Sequence, residues 1–402
     1  MHPYLKNHFG MEEQPRIINS LLDNDFYKFT MQNAVTKLFP TARVRYRFVN
    51  RGGHKFPEGF AQALRHQVER MSELSLQPDE KAYFARKCKY LDPVYLDFLS
   101  GFRYDPSEVH IEQHGGDLDV TIEGLWYRTI LWEVPLMAVI SELYYNLEGL
   151  QRVSDEVVCD ITRRKMEAYK ALDIKIAEFG TRRRHSYRVQ ELVVAALQKY
   201  GGTNYIGTSN VRLAMDYNVI PIGTHAHEWF MFHAAHFGYK MANRAGLGNW
   251  VDVYHGDLGI ALPDTFTTDV FLNSFDKKFA KLFDGVRHDS GDPLEFIDKI
   301  TSHYKGLNID PQSKTIIFSD TLNPQTVRRI ADYCRGKIGM SFGIGTNFTN
   351  DVGLEALNMV IKMSEAFTEN GKWTPTVKLS DAEGKYTGDP AAIDLAKTIL
   401  GI

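Results

Sequence analysis

Cysteine is scarce in this chain. Cys88, Cys159 and Cys334 are the only three in 402 residues. They are too few and too far apart for a disulfide framework or a zinc ligand set, and they point to a reducing compartment, the cytoplasm. Excess charge of either sign is also missing. A net charge of -3 argues against a protein that coats nucleic acid, although local basic clusters can still bind phosphates. Long uninterrupted apolar runs are absent too. The most apolar stretch, 130–147, contains Glu133, Pro135 and Glu142, so it reads as a buried helix and not a membrane span. Residues 1–10 lack the apolar centre of a signal peptide. No internal repeat or low-complexity tract stands out.

What is present is the composition of a soluble globular protein, 44% hydrophobic and 24% charged. The length suits two domains. In the first region Asp23 or Asn24 precedes a helical pattern that runs to about Leu38. Val44, Tyr46 and Phe48 alternate with Arg45 and Arg47, the signature of a half-buried strand. Phe60, Leu64, Val68 and Met71 have helical spacing. A hairpin is expected around Gly115-Gly116. This α+β region is taken as residues 1–140.

After a polar helical stretch, about 154–172, the texture changes. Eight short apolar runs, at 174–179, 205–207, 219–222, 259–262, 285–287, 315–318, 340–342 and 359–363, alternate with helical patterns. Ser186 stands where a helix cap belongs, and Gly201-Gly202 where that helix ends. Asp292-Pro293 and Asn323-Pro324 each place a capping side chain before a first-turn proline. Eight alternations predict an irregular α/β barrel over 141–366, working at the C-terminal ends of its strands. The tail, 367–402, leaves the pattern and is expected to pack back on the first domain.

Polar groups gather where the runs end. Gly223-Thr224-His225-Ala226-His227-Glu228-Trp229 follows one run, and the other strand ends are read as converging on a pocket around His227. His-x-His at a barrel strand end is also how metal-dependent hydrolases hold zinc, and a lone core histidine is the plainer alternative. Gly343-Ile344-Gly345-Thr346-Asn347 can bring backbone amides to a phosphate, with Thr346 and Asn347 adding donors; it is neither Walker A nor GxGxxG. A plain tight turn is the other reading. Arg182-Arg183-Arg184, after Gly180, is either a solvated turn or an anion clamp. Arg287-His288-Asp289-Ser290-Gly291-Asp292 sets a guanidinium, carboxylates and a hydroxyl at one strand end, with Arg287 and Asp289 the better placed for substrate. Asp264 and Asp320 end two more runs. Several aspartates on one rim suit a ribose diol or hydrated Mg²⁺.

Taken together, these segments resemble the nicotinate phosphoribosyltransferase family, of the bacterial and fungal type. The resemblance is carried by Leu21-Leu22-Asp23-Asn24-Asp25-Phe26-Tyr27-Lys28, Leu131-Trp132-Glu133-Val134-Pro135-Leu136, residues 178–184, Gly223 to Trp229, residues 285–293, Phe318-Ser319-Asp320 and Ser341 to Thr346. The tail motif Lys378-Leu379-Ser380-Asp381 is also similar. The matches run in order over nearly the whole chain. The local oddity is His225; the Ala-His-Glu-Trp frame favours His227 as the reactive imidazole.

The resemblance implies the type II phosphoribosyltransferase fold and an ATP-coupled ligase reaction. Nicotinate attacks C1 of 5-phosphoribosyl-1-pyrophosphate, giving nicotinate mononucleotide and pyrophosphate, the first step of NAD salvage from nicotinate. ATP hydrolysis is coupled through a phosphohistidine at His227. The implied catalytic set is His227, Arg287, Asp289 and Asp320; the implied substrate-binding set adds Thr208, Ser209, Asp264, Ser290, Gly345, Thr346, Asn347 and Lys378. Charge building on the leaving group needs cations and Mg²⁺, whose ligands are left open. Nicotinate is a flat anion. It calls for stacking, with Phe179 and Tyr27 as candidates, and for a guanidinium, Arg182 or Arg287. Asp289 or Asp320 is expected to hold the second nitrogen of His227. The resemblance further implies that Tyr27 reaches the site of a neighbouring subunit, hence a homodimer. No nucleic acid or membrane partner is expected. Nicotinamide or quinolinate as substrate, and the barrel hydrolase using His225 and His227, are the alternatives.

Overall fold

The computed structural model describes residues 15–368, 371–382 and 384–402; the stretch 1–10, read above for a leader, lies outside them. The first helix runs Phe26–Leu38. Its expected cap is corrected by the structure. Asp25 holds the cap position but makes no side-chain cap hydrogen bond. Asp23 instead meets Arg184, and Asn24 donates to the Leu131 carbonyl. Long-range partners hold both side chains, although Asn24 Oδ1 also accepts from Asp25 N–H.

Three strands of the first region are β1 (Arg43–Asn50), β2 (Val109–His114) and β3 (Asp117–Leu125). Val44, Tyr46 and Phe48 of β1 are buried, as the alternation requires. The β2–β3 hairpin turns at Gly115, whose φ of +61° suits a residue without Cβ. The expected buried helix is there as Glu133–Leu147. Among the described residues no helix is long and apolar enough to cross a membrane.

The second region supplies β4 (Lys175–Glu178), β5 (Tyr205–Thr208), β6 (Ile220–Pro221), β7 (His255–Leu258), β8 (Ile260–Ala261), β9 (Gly285–His288), β10 (Thr315–Phe318) and β11 (Gly339–Ile344). Seven of them form one parallel sheet in the order β6-β5-β4-β11-β10-β9-β8; β7 joins neither sheet. Parallel pairing points all seven C-terminal ends the same way. The connecting helices begin where capping chemistry predicts: Ser186 accepts from Val189 N–H, Asp292 from Leu294 N–H and Asn323 from Thr326 N–H.

The sheet is a curled half-barrel, and its two outer strands, β6 and β8, share no ladder. The eighth run is the reason. Residues 359–363 fall in β12 (Met359–Phe367), which pairs antiparallel with β1 and with β13 (Trp373–Pro375). Its inward positions, Met359, Ile361 and Met363, alternate with Val360, Lys362 and Ser364. That is the period of a half-buried antiparallel strand, not of a barrel strand covered on both faces. The five-stranded sheet is therefore β13-β12-β1-β3-β2.

The seam between β6 and β8 is crossed by side chains. Thr224 Oγ1 donates to the Ile260 carbonyl at 3.1 Å, and Thr30 of the first helix donates to the Thr224 carbonyl. Residues 22–28 are moored to the same strand ends: Phe26 N–H donates to the Ser209 carbonyl, Ser209 Oγ to Asp25 and Val211 N–H to the Asn24 carbonyl. The tail does two things. Its β13 extends the antiparallel sheet, while Lys378 and Asp381 reach the rim of the parallel sheet.

Candidate active site

His227 is the first residue of the helix His227–Phe237, entered from β6 through residues 222–226. Its ring is buried. Nε2 lies 2.8 Å from Asp264 Oδ1 and 3.6 Å from Asp289 Oδ2. Asp264, just beyond β8, is held on its other oxygen by Ser290 Oγ at 2.6 Å and Lys378 Nζ at 3.1 Å. Burial opposes its charge, but His227 and Lys378 outweigh burial and hold it well below the usual carboxylate range. An ionised carboxylate only accepts, so Nε2 carries the ring proton and Nδ1 keeps its lone pair. Burial, then Lys378, push the imidazole down to about 4, so it is neutral at pH 7.

This corrects the expected orienting group. Asp264 holds the second nitrogen. Asp289 is beyond hydrogen-bond distance, and it is ionised at about 2, where Arg287 and His227 outweigh burial. Asp320 accepts from its neighbour Thr321 and faces Arg183 and not His227. Arg287 lies 3.8 Å from Asp289 and donates to the His225 carbonyl at 3.3 Å. Ser319 Oγ donates to Asp289 Oδ1.

His225 takes no part in that cluster. Its ring is buried against Phe230 and Trp250, and neither nitrogen has a hydrogen-bond partner. Among the described residues the three groups close enough to share a cation are His227, Asp264 and Asp289. The paired His-x-His ligation of a zinc hydrolase is thus not formed.

A second cluster gathers around Arg182 and Glu133. Phe179, at the end of β4, lies against Gly343, where a Cβ would come within 3.0 Å of its ring. Arg182 Nη1 is 3.5 Å from Glu133 Oε1. Glu133 Oε2 is 2.5 Å from Lys28 Nζ, which is 2.8 Å from Glu228 Oε1. Tyr27 is buried in its own chain, within the field of Arg182 and Glu133, and its hydroxyl has no partner. Gly223 exists without Cβ because one would meet Tyr27 N at 2.8 Å. The mooring of residues 22–28 to β5 fixes Tyr27 beside Arg182 and Glu133 of its own chain.

The remaining expected residues divide. Thr208 and Ser209 are fully buried; Thr208 Oγ1 donates to Glu178 and Ser209 Oγ to Asp25, so they support the site from beneath. Burial pushes Glu178 up to about 7. Gly345, Thr346 and Asn347 are half-buried at the end of β11, where Lys165 binds the Asn347 carbonyl. The three arginines split by role: Arg184 is buried on Asp23, Arg182 faces Glu133, and Arg183 is lowered to about 10 by burial, Arg182 and Arg51.

Several site groups escaped the sequence reading: Lys28, Arg51, Glu133 as a charge, and Lys362. Lys362 sits on β12, half-buried, with Glu133, Arg182, Lys378 and Asp289 as electrostatic neighbours, and burial lowers it to about 8. The signal that could have found it is a lysine at every-second-residue spacing inside an apolar run.

Comparison with known proteins agrees along both regions. The profile of the nicotinate phosphoribosyltransferase (NAPRTase) N-terminal domain matches residues 22–141, and that of the nicotinate phosphoribosyltransferase (NAPRTase) family matches residues 174–402. The nicotinate phosphoribosyltransferase of Chromohalobacter salexigens is 62% identical over 386 residues, 96% of this chain and 99% of that one. The enzyme of that name from Desulforapulum autotrophicum is 51% identical, over 93% and 96%. Among solved structures, nicotinate phosphoribosyltransferase from Porphyromonas gingivalis superposes with a TM-score of 0.94 at 48% identity, over 96% of this chain and all of that one. A half-barrel of this topology, a matching N-terminal domain and relatives aligned from end to end place the chain in the nicotinate phosphoribosyltransferase family.

Proposed function

We propose that the protein joins nicotinate to the phosphoribosyl group of 5-phosphoribosyl-1-pyrophosphate, releasing pyrophosphate, and couples this to ATP hydrolysis through His227. The observation that carries the coupling is the buried, neutral imidazole whose Nε2 is pinned by Asp264. Nδ1 is then the nucleophile. It attacks the γ-phosphorus of ATP; the N–P bond forms, the P–O bond to ADP breaks, and water later returns the phosphate to solution. The phosphate on His227 adds negative charge beside Lys378 and Arg287 and so changes the affinity of the rim for its anionic substrates.

In this reading Phe179 and Tyr27 flank the pyridine ring and Arg182 receives its carboxylate. Arg287, Lys378 and Lys362 face the charge that builds on the departing pyrophosphate. Asp264 has both oxygens engaged, which suits a hydrated Mg²⁺ shared with substrate phosphates and Asp289 better than an all-protein cage. When bound, that ion neutralises leaving-group charge. The proposed assembly is a cytoplasmic homodimer in which Tyr27 of one protomer reaches the site of its partner.

The test is conversion of radiolabelled nicotinate with 5-phosphoribosyl-1-pyrophosphate, with and without ATP. Nicotinate mononucleotide that depends on Mg²⁺ and rises with ATP is expected. Conversion of nicotinamide with no conversion of nicotinate overturns the substrate assignment.

A further inference from the structure

Four charged side chains from four separate elements form one line, buried from Glu133 to Glu228 and opening to solvent at Arg182, whose side chain is 39% exposed. Arg182 Nη1 faces Glu133 Oε1 at 3.5 Å; Glu133 Oε2 faces Lys28 Nζ at 2.5 Å; Lys28 Nζ faces Glu228 Oε1 at 2.8 Å. Lys28 is wholly excluded from solvent, and Glu133 and Glu228 nearly so. Burial works against the charge on Lys28, yet the two carboxylates outweigh it and raise its affinity for a proton. The same balance, with Arg182 adding to Lys28, brings Glu133 down to about 2. Arg182, Glu133 and Lys28 are therefore charged at pH 7, while burial pushes the Glu228 carboxyl up against the pull of Lys28.

That balance matters for an anion. A carboxylate arriving at Arg182 also meets Glu133, one ion pair away. Glu133 is shielded from solvent, so like charges at such range repel more than they would in water. Lys28 is the group that cancels Glu133. Without it, Glu133 would draw more heavily on Arg182, with only the half-buried Lys362 to share the load, and leave more negative charge where the ligand anion must sit. A neutral ring of the same shape would feel little of this.

We propose that Lys28 is a positioning residue that sets specificity for an anionic pyridine ligand: by neutralising Glu133 it leaves the Arg182 guanidinium free to receive a ring carboxylate. This rests on the reading that Arg182 meets the nicotinate carboxylate. Lys28 acts through Glu133 and touches no reacting atom.

The experiment compares kcat and KM for nicotinate with the inhibition constant of nicotinamide. The variants are Lys28→Met, Lys28→Arg, Glu133→Gln and the double variant Lys28→Met with Glu133→Gln, with Arg182→Met as control. Lys28→Met is expected to raise the nicotinate KM about tenfold with a smaller change in kcat and in the nicotinamide constant. Lys28→Arg, and the double variant, should bring KM back to within about threefold of the parent. A residue that merely props up the fold would not be rescued by neutralising Glu133. Equal losses for both ligands, or no rescue in the double variant, overturn the proposal. If Lys28→Met does not fold, Glu133→Gln alone decides: a lower nicotinate KM with unchanged nicotinamide binding supports it, and equal effects on both overturn it. An unaltered KM in Arg182→Met would instead sink the underlying assignment of Arg182, whereas a raised KM there with none in Lys28→Met sinks only the role of Lys28.

Discussion

Asp23 and Arg184 are 161 residues apart in sequence, yet their carboxylate and guanidinium meet in a two-pronged pair at 2.6 and 2.7 Å, both out of contact with water. The pair ties the segment carrying Tyr27 to the strand end carrying Phe179 and Arg182. Gln190 and Asn210 add hydrogen bonds to the pair, while Arg184 Nε is left without a partner.

Removing one partner strands a buried charge. Arg184→Ala should therefore destabilise the fold by about 3–5 kcal/mol, read as a lower urea midpoint. Arg182, two residues earlier, should behave oppositely. Arg182→Ala is expected to melt close to the parent and to lose nicotinate binding. Similar melting of the two variants would show that the arginines are misassigned.

Asp264→Asn should cut phosphorylation of His227 by on the order of 10²–10⁴, because an amide no longer fixes the proton on Nε2. The measurement is acid-labile, base-stable label from γ-labelled ATP. His227→Ala should abolish the label and leave a slow, ATP-independent transfer. Label that survives in His227→Ala and disappears in His225→Ala would reverse the choice of histidine.

The imidazole of His227 is lowered to about 4, and burial also lowers His185 to about 4. In the unfolded chain both regain the ordinary value of about 6.5. Unfolded protein thus binds more protons between pH 6.5 and 4, so folding stability should fall as the pH drops through that window. The ATPase acid limb should lie near 4. A limb near 6.5 would show that His227 is solvated.

If Tyr27 completes the site of a neighbouring subunit, mixing Tyr27→Ala subunits with His227→Ala subunits should restore some activity, because one hybrid site keeps both groups. No recovery in demonstrated heterodimers would mean that Tyr27 serves its own chain.

Strand ends were legible in the sequence because parallel strands announce themselves as short apolar runs with capping residues between them. His227, Arg287 and Asp289 could be placed on the rim for that reason. Partners across the fold could not be read. Asp264 is 37 residues from His227, and only the ladder from β8 to β9 shows that it, and not Asp320, faces the ring. Lys362 was hidden by an apolar run that looks like any other barrel strand until its pairing with β1 is known. Lys28 reads as an ordinary helix-surface lysine; its burial depends on Glu133 and Glu228, one distant in sequence and one very distant.

The helix Phe26–Leu38, which bridges the seam between β6 and β8, has a consequence for how the chain is made. Asp25 leaves the ribosome 184 residues ahead of its partner Ser209, a wait on the order of 10–40 s at ordinary elongation rates. Through that interval a segment with ten buried side chains, including the lysine that later neutralises Glu133, can dock only on first-region partners such as Phe84, Tyr95 and Tyr127 and lacks its β5 and β6 partners. Nascent chains halted before residue 224 should consequently be the ones that trigger factors and holdases grip, and release should follow translation of the loop that leads into His227.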